Sequence, residues 1–508
     1  MSTPTNTGAA SGASAQPAAT KATDPTGAQA HAQRWFVLVV LGLAQLMVVL
    51  DATIVNIALP AAQVDLGFSA DNRQWVVTGY ALAFGSLLLL GGRFSDLFGR
   101  RMAFLVGLVG FAGASAVGGA AVNFEMLVAA RVGQGVFGAL LAPAALSLLT
   151  TTFMDPAERG RAFGIYGAIA GGGGAVGLLL GGMLTEWADW RWCLYVNLIF
   201  AAAAFIGGLL LLPKQAPGPR PKLDLPGTLA VSSGLFSIVY GFSSAETDGW
   251  SDAATVSWLA AGVILLIGFV LIQMRSAHPL LPLRVVLDRN RGGSYLAMLI
   301  SGAGMFAIFL FLTYFLQASL GFTPIQTGLA FLPMIGALAI TASLATSTIL
   351  PRVGARPLVP TGMAIAAAGL VFLTRIGLDS TYTADILPGL LITGIGVGMT
   401  LAPAMEGAVS GVAVEDAGVA SATVNTMQQI GGSIGTALLS TVAASAATDY
   451  LATRRPSPLV AAQAAIESYV TVFWWAAAIF TVGALITGLV LRSGRLEAAA
   501  EGVQAVAH

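Results

Sequence analysis

Charged residues are scarce in this chain: they make up 9% of its 508 residues, against about 25% in a typical soluble domain. The formal net charge is zero, which gives no basic footprint for nucleic acid. A single cysteine, Cys193, excludes an intrachain disulfide and a cysteine-based metal site. His31, His278 and His508 are scattered without metal-ligand spacing. The composition therefore excludes an ordinary water-soluble globule and predicts no metal site.

Motifs for nucleotide chemistry are also missing. The pattern G-x-x-x-x-G-K-[ST] does not occur, so ATP-driven transport is not expected. Gly172, Gly174 and Gly177 spell G-x-G-x-x-G, but they lie inside a long apolar run rather than after a strand, so no dinucleotide site is predicted. No His-Glu or Ser-His constellation supports an enzyme. We expect no cofactor, and energy must come from an ion gradient or from the substrate's own gradient.

Long apolar runs are abundant instead. Hydrophobic residues make up 56% of the chain and the mean hydropathy is +0.81. After a polar, low-complexity tail at 1–33, apolar runs of about 20 residues recur to the end of the chain. Because lipid leaves backbone polar groups without water, these runs are predicted to be helices. The 14 predicted spans are 35–59, 74–92, 102–122, 126–149, 162–184, 192–212, 225–244, 254–274, 293–316, 326–350, 358–377, 386–405, 417–445 and 470–491.

The loops predict the orientation. With the N-terminus inside, the outer loops hold only Arg73, Arg191, Arg454 and Arg455. Two further arginines fall within spans, which leaves 18 of the 24 Lys and Arg residues in inner segments. This excess predicts cytoplasmic termini and an even number of spans.

The two halves of the sequence repeat each other. "LGFS" at 66–69 returns as "LGFT" at 320–323, "DLFGRR" at 96–101 as "PRVGAR" at 351–356, and "LAPA" at 141–144 at 401–404. Parallel six-span halves with a substrate site between them are a known transporter architecture. The chain is thus predicted to be an all-α integral membrane protein of two parallel six-helix halves plus two inserted helices. The predicted segments are a disordered cytoplasmic tail at 1–33, halves at 34–212 and 293–492, linkers at 213–224 and 275–292, the inserted pair at 225–274 and a tail at 493–508.

Charges inside the spans carry the candidate chemistry, because each is costly in lipid. Asp51, in "VVLDATIVNIALP", is predicted to bind a proton or a cationic substrate; the alternative is an ionised acid in a structural hydrogen-bond network or at the outer interface. Arg131, early in the fourth span, needs a partner or a water-filled cavity, and it either tunes a nearby carboxyl such as Asp51 or braces helix ends. Arg375 lies near a span end and can extend to the interface.

Uncharged and peripheral polar residues give further candidates. Glu406, near the inner surface, is predicted to be an interfacial or gating residue rather than a deep proton site. Polar side chains in the spans either contact substrate or link helices. The candidates for the substrate pathway are Asn56, Gln134, Glu406, Asn425, Gln428 and Gln429.

Two other motifs predict structural devices. In "GGRFSDLFGRRMAF", Gly92 and Gly99 permit tight turns, and Asp96 can accept hydrogen bonds from helix N-terminal amides or pair with Arg100 or Arg101. This loop is predicted to be a breakable latch; positive-inside anchoring alone explains its arginines but not Asp96. In the fifth span, Gly173, Gly177 and Gly181 recur every four residues beside Gly182, and Gly167 and Gly171 lie on a neighbouring face, which predicts close helix packing.

These motifs together resemble the major facilitator superfamily, and more narrowly its 14-span drug:proton antiporter-2 family. The matching segments are "LDATIVNIALP" at 50–60, "GRFSDLFGRR" at 92–101, "RVGQG" at 131–135, "GAVGLLLGG" at 174–182, "DWRW" at 189–192 and "ASATVNTMQQIGGSIG" at 420–435. The sequence departs from the family at Gly177–Leu178, where Gly-Pro is usual, and at Gln428–Gln429, where Arg-Gln is frequent.

The resemblance implies efflux of drugs or antibiotics in exchange for protons. Asp51 is then the main protonation site, and Arg131 belongs to the motif implicated in proton coupling. We expect a functional monomer in the bacterial cytoplasmic membrane, with protons and a small molecule as partners. The alternatives are a proton-coupled importer or facilitator of a nutrient, and a receptor or scaffold that transports nothing.

Overall fold

The computed structural model describes residues 25–68, 73–213, 224–413 and 416–492. Within these ranges every regular element is helical and no strand is present. The helices of the first part are α1 (Pro25–Leu66), α2 (Arg73–Phe98), α3 (Arg100–Gly119), α4 (Phe124–Thr152), α5 (Pro156–Trp187), α6 (Trp192–Leu211), α7 (Leu225–Thr247) and α8 (Ala253–Arg275). Those of the second part are α9 (Leu283–Val286), α10 (Arg289–Tyr314), α11 (Pro324–Leu344), α12 (Leu350–Val353), α13 (Ala355–Leu373), α14 (Leu387–Val409), α15 (Ala417–Ala452) and α16 (Pro458–Val490).

The predicted spans are confirmed as helices. In the described ranges, 13 helices are long and apolar enough to cross a membrane, and the number is 14 when the bent pair Glu158–Gly174 and Val176–Trp187 is one span. The 43° bend of this pair falls inside the glycine run, where weak helix propensity permits a kink. Three π-helical segments, Phe315–Ser319, Ala345–Ile349 and Tyr382–Ile386, adjoin the second set of helices.

The internal repeat recurs in the backbone. Gly67 and Gly321, the middle residues of the LGF motifs, have φ of 69° and 68°, and Gly99 and Gly354 precede α3 and α13 with φ of 91° and 79°. Only glycine adopts such angles at little cost. The packing repeats as well: α1 contacts α5 and α6 as α10 contacts α15 and α16, and α4 contacts α2 and α3 as α14 contacts α11 and α13.

The first and last sets of six membrane helices meet along two seams. On one seam α5 packs against α11 and α14, and on the other α2 and α4 pack against α15. The inserted pair, α7 and α8, packs against itself and lies against both α2 and α15. We call the end of the bundle that holds the α2–α3, α4–α5 and α14–α15 connections the arginine-rich end.

Some boundaries differ from the prediction. Helix α1 begins at Pro25, so residues 25–33 are helical rather than part of a disordered tail, because a proline at the first turn and the helix-favouring "AQAHAQ" extend the span. The predicted linker 275–292 contains the short helix α9 and the start of α10. Helix α16 begins at Pro458, 12 residues before the predicted span, because its first turns are too polar for a hydropathy criterion but are capped by Ser457. The tails before 25 and after 492, and linker residues 214–223, lie outside the described residues.

Candidate functional site

Asp51 is the acid around which the candidate site is built. It lies in the middle of α1 and its side chain is completely buried. Its Oδ2 atom is 2.5 Å from Nη1 of Arg131, and its Oδ1 atom accepts hydrogen bonds from Gln134 Nε2 (2.8 Å) and Asn197 Nδ2 (2.7 Å). The carboxylate therefore receives three donors, from α4 and α6.

Arg131 is held from four directions. Besides Asp51, its Nη1 atom donates to Gln134 Oε1 at 2.7 Å, and its Nε atom donates to the carbonyl of Val76 in α2 at 3.1 Å. Its guanidinium lies 4.4 Å from the ring centre of Tyr80, a cation–π distance. The side chain is 1% exposed, so the pair with Asp51 neutralises a charge that would be very costly alone.

Ser115 of α3 completes the network. Its Oγ atom accepts from Gln134 Nε2 at 2.7 Å and from Asn197 Nδ2 at 3.4 Å. Gln134, Asn197 and Ser115 are all fully buried. One atom is left over: Asn197 Oδ1 has no hydrogen-bond partner. We call the five residues Asp51, Ser115, Arg131, Gln134 and Asn197 the acid network.

The acid network has no counterpart in the second half. Through the offset of the LGF motif, Asp51 corresponds to Met305, and through that of the LAPA motif, Arg131 corresponds to Leu391. Met305 is itself buried in the apolar core. The acid network is therefore present on one side of the pseudo-symmetry of the repeat only.

The glycine stripe of α5 packs on the turn of α1 that carries Asp51. A Cβ at Gly181 would lie 2.9 Å from Ile54 Cγ1, and one at Gly173 would lie 2.9 Å from Val49 Cγ1. At Gly177 a Cβ would collide with the Thr53 hydroxyl and lie 3.1 Å from the Leu50 carbonyl. Gly182 is also buried.

A second glycine face of α5 meets the other half of the molecule. Gly164 lies against Ser343 and Thr346, Gly167 against Ala402, and Gly171 against Leu338 and Leu401. The Thr346 hydroxyl donates to the Gly160 carbonyl. Helix α5 therefore touches both the Asp51 turn and the interface between the halves.

The motif at 92–101 also lies at this interface. Gly92 and Asp96 belong to the last turns of α2, so the predicted tight turn at Gly92 is wrong and only Gly99 has a positive φ. Asp96 Oδ1 accepts a hydrogen bond of 3.0 Å from the amide of Gly418, in the first turn of α15, where unpaired amides favour an anion. Arg100 Nη2 is 4.0 Å from the same oxygen. A Cβ at Gly92 would collide with the Gly418 carbonyl region. Asp96 therefore makes both interactions that the sequence predicted for it, one with a helix N-terminal amide and one with Arg100.

Gly99 and Arg101 of this motif have other roles. Gly99 is the N-cap of α3 with its φ of 91°. Arg101 donates from Nη2 to the Leu209 carbonyl of α6 at 2.8 Å and does not reach Asp96.

Glu406 lies in the interface rather than in an open pathway. Its Oε1 atom is 4.0 Å from Nε of Arg159 in α5, and both side chains are almost completely buried. Glu406 Oε2 and two nitrogen atoms of Arg159 have no hydrogen-bond partner. This pair joins α5 of the first half to α14 of the second.

The other substrate-pathway candidates separate into distinct environments. Gln134 belongs to the acid network. Asn425 is buried and donates to the Ser421 carbonyl at 3.0 Å, whereas Gln428 and Gln429 are partly exposed. Asn56 is on α1, but its side chain lies outside the described part of the chain. Those of the candidates whose side chains are described are not gathered into one site.

Asn197, Ser115 and Tyr80 were missed from the sequence. Asn197 stands alone in the very apolar segment "LYVNLIF", which was the available signal. Ser115 and Tyr80 carry no such signal, since single hydroxyls are common in membrane helices. Among the described residues, no group of three or more His, Cys, Asp or Glu is arranged to hold a metal ion.

Comparison with known proteins agrees with this architecture. The family model described as Major Facilitator Superfamily matches residues 41–436. The chain is 48% identical over 471 residues to a puromycin resistance protein of Streptomyces alboniger, covering 92% of this chain and 93% of that one. It is 39% identical to a cephamycin export protein of Amycolatopsis lactamdurans, covering 80% and 85%.

A solved structure shares the fold. The proton:xylose symporter XylE, bound to 6-bromo-6-deoxy-D-glucose, aligns with a TM-score of 0.62 at 14% identity, covering 92% of this chain and 97% of that one.

Proposed function

This chain belongs to the major facilitator superfamily, and on that premise we propose that it is a proton-coupled antiporter that exports amphipathic antibiotics. Membership makes it a multi-pass membrane transporter of small molecules rather than an enzyme. The proposal adds the driving ion, the direction and the substrate class.

The observation that carries proton coupling is the fully buried pair of Asp51 and Arg131. An ionised Asp51 neutralises Arg131, and a protonated Asp51 leaves that charge without its partner. The free energy of the network therefore changes by several kcal/mol with one proton. Because α5 touches both the Asp51 turn and the second half, such a change has a direct mechanical route to the interface.

The relatives support export and the substrate class. Two of them are described as a puromycin resistance protein and a cephamycin export protein. The 48% identity makes puromycin, an amphipathic nucleoside antibiotic, the first probe to use. We propose that the arginine-rich end and both termini face the cytoplasm, as the positive-inside distribution predicts. Since one chain holds both halves, we propose a functional monomer.

The test is puromycin transport into inverted vesicles with an imposed proton gradient. Asp51→Asn is expected to reduce gradient-driven uptake by roughly tenfold or more, because it removes the charge that Arg131 requires. The matched control is Asp65→Asn, the same change at an exposed acid of the same helix, whose pair with Arg191 is expected to contribute little.

Unchanged gradient-driven uptake in the Asp51→Asn variant would contradict proton coupling at this residue. A nutrient importer is the second reading, and it predicts that an uncoupler lowers the cellular accumulation of substrate. An exporter predicts that the uncoupler raises accumulation.

A further inference from the structure

Asn197 brings to the acid network a buried oxygen atom that accepts no hydrogen bond from the described residues. Its amide nitrogen donates to Asp51 Oδ1 and Ser115 Oγ, while its Oδ1 atom is buried without a partner among the described residues. An unpaired buried acceptor is energetically unfavourable, because it has lost its bond to water without a replacement. Such an atom, beside the acid that is proposed to titrate, points to a second arrangement of the side chain.

The present arrangement suits only the ionised form of Asp51. All three groups that reach its carboxylate do so as donors. A protonated carboxyl carries an O–H group and requires an acceptor. One of the neighbouring amides must therefore turn for the proton to be accommodated at Oδ1, since Oδ2 faces the permanently charged Arg131.

Gln134 is not free to turn. Its Oε1 atom accepts from Arg131 Nη1 at 2.7 Å, and rotation of this amide would aim its NH₂ group at the guanidinium. Asn197 has no such restraint, because its oxygen is unpaired. Two amides donate to Asp51. Rotation of the Asn197 amide, unlike rotation of the Gln134 amide, does not place an NH₂ group against the Arg131 guanidinium.

We propose that Asn197 is a positioning residue for proton binding, and that its amide rotates by about 180° when Asp51 takes up a proton. Before rotation, Nδ2 donates to Asp51 and to Ser115. After rotation, Oδ1 occupies that place and accepts from the new O–H of Asp51 and from the hydroxyl of Ser115. Asn197 keeps two hydrogen bonds, one to Asp51 and one to Ser115, and its NH₂ group moves to the former position of Oδ1. The proton, supplied by the water of the acidic side, stays on Asp51 Oδ1.

The other groups that face Asp51 cannot take this role. Helix α4 supplies Arg131, which always remains charged, and helix α2 supplies Tyr80, whose ring lies against that guanidinium. Helix α6 supplies Cys193 in addition to Asn197, but Cys193 is bonded to Thr185. Helix α5 meets the Asp51 turn with Gly173, Gly177 and Gly181, which carry no titratable side chain.

This inference rests on the proposed proton coupling, and its test separates the two. Purified protein in liposomes is assayed for puromycin uptake driven by a proton gradient. It is also assayed for puromycin counterflow at equal pH, which exchanges substrate without net proton movement.

The Asn197→Leu variant preserves the size of the side chain but can neither donate nor accept a hydrogen bond. We expect it to lose roughly tenfold in gradient-driven uptake while counterflow stays within about twofold of the wild type. Asn197→Ser keeps a group that can donate or accept, and is expected to recover part of the driven uptake.

The remaining outcomes contradict either this inference or the proposed function. If Asn197→Leu loses both activities, the residue is only structural; if it loses neither, or if Asn197→Ser is as impaired as Asn197→Leu, the amide does not switch. Full driven uptake in Asp51→Asn, or no puromycin flux in the wild type, instead contradicts the proposed function.

Discussion

Arg131 contributes its shape as well as its charge. Its guanidinium donates to Asp51, Gln134 and the Val76 carbonyl and lies on Tyr80. Lysine keeps the charge but presents one compact ammonium on a flexible stem, which cannot reach all of these partners. We expect Arg131→Lys to lower proton-driven uptake by roughly tenfold, the effect of losing about 1.4 kcal/mol of interaction, with normal amounts of protein in the membrane. Wild-type uptake in this variant would mean that positive charge alone suffices.

At the scale of residues, charges were predictable from the sequence and neutral polar groups were not. Asp51 and Arg131 are expensive in lipid, so their presence predicted a function and their pairing followed from the need for a partner. Asn197 and Ser115 are inexpensive in a membrane helix. Their participation depends on how α3 packs against α4 and α6 and how α6 packs against α1, which no local pattern encodes.

The glycine stripe of α5 gives a prediction at the scale of a helix. Gly177→Ala adds a methyl group against the Thr53 hydroxyl and the Leu50 carbonyl, and overpacking of this kind costs about 1–3 kcal/mol. We expect a lower thermal unfolding temperature in detergent and reduced transport. Gly177→Leu is expected to abolish transport while the protein still reaches the membrane.

A matched control exists in α3. A Cβ at Gly113 would meet nothing within 4 Å, so Gly113→Ala is expected to keep transport and to gain up to about 1 kcal/mol from helix propensity. Equal behaviour of the two alanine variants would mean that the α5 stripe is not a packing face.

The inserted helices give a second prediction at this scale. Helix α7 contacts α2 through Ser243, whose hydroxyl is 3.3 Å from that of Thr78, and through Tyr240, which packs on Trp75. The loop after α7 reaches α15 through Trp250, whose Nε1 donates to Thr441 at 2.8 Å. The pair therefore bridges the two halves, with its more extensive contact on α2, and we expect it to move with the first half.

Reducible thiol crosslinking tests this expectation in a Cys193→Ala background. Crosslinking of Thr78→Cys to Ser243→Cys is expected to leave puromycin transport intact, whereas crosslinking of Trp250→Cys to Thr441→Cys is expected to stop it until a reductant is added. Inhibition by the first crosslink and not by the second would assign the inserted pair to the second half.

Hydropathy predicted every span because a membrane helix must be apolar over its length, but it could not give the ends. Helices α1 and α16 extend beyond the apolar runs, since capping and helix propensity rather than lipid determine where a helix begins. The packing of the inserted pair against α2 and α15 could not be predicted from the sequence either, because lipid-facing and helix-facing apolar residues look alike there.

At the scale of the whole molecule, several contacts join the two halves at the arginine-rich end, and three of them involve polar groups. Asp96 accepts from Gly418, Thr346 donates to Gly160, and Arg159 approaches Glu406. The repeat predicted two halves, but which side chains meet across them depends on the conformation that the halves adopt. For alternating access these contacts must break, so weakening one should favour opening at this end.

The Glu406→Gln variant is expected to open more readily at this end, because it leaves the buried Arg159 without a charged partner. Ser421, completely buried in α15 near this closure, is replaced by cysteine in a Cys193→Ala background, and its maleimide labelling rate reports opening. A shift of about 1 kcal/mol corresponds to a roughly fivefold faster rate. The exposed Glu467→Gln is the control and is expected to change nothing, and Arg159→Glu combined with Glu406→Arg is expected to restore slow labelling. Equal rates in Glu406→Gln and wild type would mean that this pair does not hold the halves together, and that Asp96 and the α5 glycines alone close this end.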